Sequence, residues 1–136
     1  MPWTPNLSVG VQLIDDQHKT LFEKVDRLFD AVKSGKAKEY VGELLAFLKE
    51  YTQTHFADEE KFMLSIQYPH YKEQKEAHDY FVAQLTKLQN DYQTSGGNLL
   101  VILNANHLVS EWLMKHISVM DRKIGEFAKA SNKTTV

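Results

Sequence analysis

Cysteine is missing from this 136-residue chain. That absence excludes disulfides, thiolate metal sites and cysteine nucleophiles together, so any metal must be held by His, Asp and Glu, a donor set suited to iron, manganese or zinc. Proline is scarce too: two of the three lie in the first five residues and the third is Pro69, which leaves long stretches with nothing to interrupt a helix. No segment is apolar for the roughly 18 residues a membrane span needs. The opening M-P-W-T-P-N-L-S-V-G has neither the basic start nor the apolar run of a secretory signal. A cytoplasmic protein with no membrane partner is the expectation. The formal charge of -2, with no segment dense in Lys and Arg, gives no electrostatic reason to expect nucleic acid.

What is present is helical period. The length suits one domain over 1–136, divided into an N-terminal arm (1–11), a bundle (12–130) and a frayed tail (131–136). From Gln12, Ile14, Leu21, Phe22, Val25, Leu28, Phe29 and Val32 share a stripe that includes His18, with Asp15 and Asp16 favouring the helix start. A second helix is expected from about Lys38 to Ser65, with Val41, Leu44, Leu45, Leu48, Tyr51, His55, Glu59, Phe62 and Met63 inward. The third should run from Pro69, a favoured first helical position, to about Gln93. After Thr94-Ser95-Gly96-Gly97 a fourth should start near Asn98, carrying Leu99, Leu103, Val109, Trp112, Leu113, His116, Ile117, Met120, Ile124 and Phe127. Four such helices joined by short loops predict an all-α, antiparallel up-down-up-down four-helix bundle with an N-terminal arm.

The apolar stripes carry polar residues of one kind. His18, His55, Gln74 with His78, and His116 each lie on the inward face of a different helix, and Glu59 follows His55 by one turn. A single buried imidazole is ordinarily a hydrogen-bonded core residue. Several imidazoles and a carboxylate facing one interior are compensated most cheaply by a shared metal centre. Asp121 follows His116 by five residues, which turns it about 140° away in a regular α-helix, so both reach one site only if the helix end is loosened or carries a π-type turn. Otherwise Asp121 is a surface neighbour of Arg122 and Lys123.

The elements W-T-P-N-L-S-V-G-V from Trp3, I-D-D-Q-H-K through His18, H-F-A-D-E-E from His55, Y-P at Tyr68, H-D-Y-F from His78 and W-L-M-K-H-I-S-V-M-D from Trp112 to Asp121 resemble the bacterial hemerythrins, from Trp3 to about Phe127. The resemblance implies a non-haem centre of two iron ions (Fe2+/Fe3+), oxo- or hydroxo-bridged. Glu59 and Asp121 are then the bridging carboxylates, His18 and His55 the ligands of a five-coordinate iron, and His78 and His116 ligands of a six-coordinate one. It also implies that Phe56, Trp112, Leu113 and Ile117 wall an O2 pocket, although ordinary core packing explains each of them equally well.

One position departs from the family pattern, which has a histidine where this chain has Gln74. The carboxamide either ligates weakly through its oxygen, leaves the position to water, or leaves that iron five-coordinate. His70, one turn earlier, substitutes only if the helix slides by about 5 Å, which displaces His78. The expected function is O2 binding as a carrier, store or sensor, with O2 or another small diatomic as ligand and an unidentified redox partner. The alternatives are a di-iron oxidoreductase acting on O2, peroxide or nitrogen oxides, and a helical interaction module with structural histidines.

Overall fold

The computed structural model describes residues 3–131; most of the tail expected to fray lies outside them. Helices Gln12–Lys33 (α1), Ala37–Ser65 (α2) and Tyr71–Ser95 (α3) are followed by a fourth rod spanning residues 99–130. The described residues contain no strand.

Two separate apolar clusters fill the interior. The larger includes Leu21, Phe22, Leu44, Leu48, Phe81, Leu85, Val109 and Leu113. The smaller contains Val9, Val11, Ile14, Phe62, Met63, Ile66, Tyr68, Ile124 and Ala128. α1 enters from the smaller cluster, α2 returns to it, α3 leaves it and the fourth rod comes back, which is the up-down-up-down order. His18, Glu59 and Asp121 each lie along their rods between residues of the two clusters.

The joints follow local chemistry. Gly35, at φ +74°, follows the α1 cap Ser34. α2 stops at Ser65, four residues before Pro69: Tyr68 N–H bonds to Met63 O and Gln67 N–H to Leu64 O, with Gln67 at φ +56°. That is a Schellman cap with glutamine in the left-handed position, and Tyr68 and Met63 supply its apolar contact. Pro69 lies in the turn and not at the first helical position; α3 begins at Tyr71. Asn98 caps the fourth rod, its side-chain oxygen accepting from Val101 N–H at 2.9 Å.

The fourth rod is not uniformly α. Leu99–Asn106 is α-helical, His107–Leu113 is π, Met114–His116 is α, Ile117–Asp121 is π, and Arg122–Ala130 is α again. Val101, Ala105, Val109, Leu113, Ile117 and Asp121 are all buried, each four residues after the last. In a regular α-helix every such step overshoots a full turn by about 40°, so five steps would carry the row to the opposite face. The wider π turns absorb that drift. They also overturn the inward assignment of Leu99 and Leu103, which are 69% and 54% exposed. On α1, Val32 likewise faces solvent.

The arm is held at both ends of its turn. Trp3 and Leu7 pack on the larger cluster, and Lys19 Nζ sits 4.7 Å above the Trp3 ring. Asp15 reaches back, accepting from Ser8 Oγ at 2.5 Å and Val9 N–H at 2.8 Å. Val9 in turn lies so close to the fourth rod that a Cβ on Gly125 would come within 2.1 Å of its carbonyl oxygen.

Candidate metal centre

Each rod contributes to one polar layer. α1 supplies His18, α2 His55 and Glu59 one turn apart, α3 Gln74 and His78 one turn apart, and the fourth rod His116 and Asp121 across the second π stretch. None of the seven side chains is more than 5% exposed. His70 and His107, the two histidines outside this layer, are exposed.

The π stretch Ile117–Asp121 resolves the five-residue spacing. It brings His116 Nε2 to 3.2 Å from Asp121 Oδ1, so both side chains face the layer and the surface reading of Asp121 falls.

Both carboxylates are divided between two groups of imidazoles. Glu59 Oε2 lies 3.5 Å from His18 Nε2 and 3.3 Å from His55 Nε2, while its Oε1 lies 3.1 Å from His78 Nε2. Asp121 Oδ2 lies 3.1 Å from His18 Nε2, while its Oδ1 faces His116. The donors therefore sort into two sets, His18-His55-Glu59-Asp121 and His78-His116-Glu59-Asp121, with the atoms of each set within 4.8 Å of one another.

These residues fit a pair of metal ions. Both ring nitrogens of His18 and His116, His55 Nε2, Glu59 Oε2, Gln74 Oε1 and Asp121 Oδ2 are buried without a hydrogen-bond partner. So many unpartnered polar atoms in one layer are costly unless cations take up the lone pairs among them. The donors are neutral imidazole nitrogens and carboxylate oxygens, which suit iron, manganese or zinc.

Without a metal the layer carries its charge on the protein. Burial would lower the His18 pKa, but the adjacent Asp121 and Glu59 carboxylates raise it from 6.5 to about 9. His55 goes the other way: burial brings it down to about 4, against the pull of Glu59. Burial and the Asp121 charge push Glu59 up, yet His55, His18 and His78 hold it below its ordinary value. Asp121 is held well below the usual carboxylate range by His116 and His18, despite its burial.

Outer contacts orient the rings, and the sequence reading missed them. Gln17 Nε2 donates to Asp58 Oδ2 at 2.8 Å, which leaves Gln17 Oε1 as an acceptor 2.7 Å from His55 Nδ1. His55 must then carry its proton on Nδ1, turning the Nε2 lone pair into the layer. Glu60 Oε2 does the same for His78 Nδ1 at 2.8 Å, and Lys75 lies 3.4 Å from Glu60. The available signal was adjacency alone, since Gln17 precedes His18 and Glu60 follows Glu59.

Aromatic rings cover the second set. Phe56 stacks on His78 with centroids 3.9 Å apart, and Trp112 stacks on His116 at 4.9 Å. Leu113 and Ile117 are fully buried in the larger cluster beside them.

Residues 9–128 match the family model described as the Hemerythrin HHE cation binding domain. The chain is 33% identical over 115 residues to a bacteriohemerythrin of Pseudomonas aeruginosa strain UCBPP-PA14, covering 85% of this chain and 72% of that protein. It is 32% identical to a bacteriohemerythrin of Methylococcus capsulatus, covering 92% and 94%. A myohemerythrin of Sipunculus nudus is 31% identical, covering 89% and 88%.

Proposed function

The chain belongs to the hemerythrin family, and from that premise we propose that it is a non-haem di-iron protein that binds O2 as a carrier, store or sensor. His18, His55, Glu59 and Asp121 would hold one iron, and His78, His116, Glu59 and Asp121 the other. The observation that carries this reading is the division of both carboxylates between two sets of imidazoles. Two irons, when bound, supply the pair of electrons with which O2 is held and released.

The chain's own residues set the conditions. Glu59 and Asp121 bring two negative charges and the neutral imidazoles none, so the two carboxylates offset part of the charge of the cations in the buried layer. Gln17 and Glu60 fix the tautomers of His55 and His78, so both rings present a lone pair without reorganising. Phe56, Trp112, Leu113 and Ile117 keep water, and the protons it carries, away from the layer, which favours release of O2 over its reduction.

A second reading, an oxidoreductase acting on O2, peroxide or nitrogen oxides, is favoured by Gln74, which adds a carboxamide where an imidazole would complete the second set. One experiment separates the two. The iron-loaded protein is reduced without oxygen, exposed to O2, and followed in the visible range. A band that persists and vanishes when O2 is removed supports O2 binding; immediate conversion to the ferric form supports turnover. Only trace iron after anaerobic reconstitution would overturn both.

A further inference from the structure

Gln74 lies on α3 one turn before His78 and is 1% exposed. Its Nε2 donates to Asp121 Oδ1 at 3.2 Å, the oxygen that also faces His116. The carboxamide therefore turns toward the shared carboxylate an amide nitrogen, which has no lone pair to give a metal. Its Oε1 is buried and has no partner.

Two consequences follow. The two donor sets are equal in number, four atoms each, so neither ion is filled by protein alone if it takes five or six donors. The unpaired Oε1 is an acceptor that an incoming O–H or N–H can satisfy.

A cavity reaches Gln74 on this side. A cavity of about 270 Å3 is lined by Tyr68, His70, Glu73, Gln74, Met120 and Lys123. His70, Glu73 and Lys123 are exposed, whereas Gln74 is buried and forms its inner wall. Tyr68 belongs to the smaller apolar cluster and Phe56 and Trp112 to the larger, so this cavity approaches the polar layer from the opposite end.

We infer that the His78-His116 half has a second exchangeable ligand position beside Gln74, reached through this cavity, where a water donating to Gln74 Oε1 gives way to ligands of two or three heavy atoms. Hydrogen peroxide keeps the hydrogen bond that water makes. This rests on the di-iron reading above. Gln74 acts here as a positioning residue: it orients Asp121 and the incoming ligand and does not ligate.

The test counts ligands on the oxidised, iron-loaded protein by calorimetric titration with azide. Two azides per iron pair are expected for the parent chain, and one for Gln74→His, whose imidazole fills the position. Gln74→Leu, which needs no new ligand to fold, should retain two. Met120→Trp, which narrows the cavity, should slow the second step at least tenfold and leave the first unchanged. One azide in the parent overturns the inference and leaves the di-iron reading standing; one in the parent with two in Gln74→Leu would show the carboxamide itself to be the ligand. No azide on a protein that holds two irons would overturn both.

Discussion

Glu59 and Asp121 come from different rods, yet each points one oxygen at His18 and the other at the opposite pair, His78 or His116. Neither carboxylate belongs to one half of the layer. Truncating one of them should therefore damage both metal positions at once. Asp121→Ala is expected to reduce iron from two ions per chain to one or none, measured by iron analysis after anaerobic reconstitution and desalting. Two tightly held irons in that variant would show that Asp121 does not bridge.

The outer partners should matter nearly as much as their rings. Replacing Glu60 by Ala removes the acceptor of His78 Nδ1, and replacing Gln17 by Leu removes that of His55 Nδ1. Each change is expected to weaken metal binding roughly 10- to 100-fold, the usual effect of losing such a contact. Competition against a chelator of known affinity measures it. Unchanged affinity in both variants would mean that packing alone orients the rings.

The metal-free protein should be most stable near neutral pH. His18 has its pKa raised to about 9 from 6.5, so its contribution is complete below about 6.5 and is lost as pH rises through about 9. His55 is lowered to about 4, so its contribution is complete above about 6.5 and is lost as pH falls toward 4. Urea midpoints should decline on both sides of neutrality. A profile that stays flat from pH 6 to pH 10 would contradict the assignment for His18.

The arm depends on a missing side chain. A methyl at Gly125 would meet the backbone of Val9, which Asp15 holds in place and which has no flexible end to move aside. Gly125→Ala is expected to cost about 1 to 3 kcal/mol, the range for overpacking a filled site. Chemical denaturation gives the value, and a change below about 0.5 kcal/mol, the scale of an ordinary surface substitution, would mean that the arm yields easily.

Much of this was legible because side chains that face one layer from a helix repeat at its period. His55 with Glu59 and Gln74 with His78 sit one turn apart, and the odd spacing of His116 and Asp121 required a loosened or π-type helix end, of which the structure contains the π turn. The start of the fourth rod was not legible. L-L-V-I-L at Leu99 is apolar on every side, so local period cannot choose a face. The face is chosen by the four-residue row from Val101 to Asp121, a pattern visible only to a reader who admits two π stretches. Gln17, Asp58 and Glu60 were missed because a polar residue beside a layer residue looks the same in sequence whether it faces solvent or an inner partner.

The polar layer also accompanies a division of the described interior into two greasy compartments. Ions seated there would rivet them into one cooperative body. Without them, the compartment around Phe62, Tyr68 and Ile124 is expected to melt ahead of its neighbour, so an ion-free chain should unfold in more than one step.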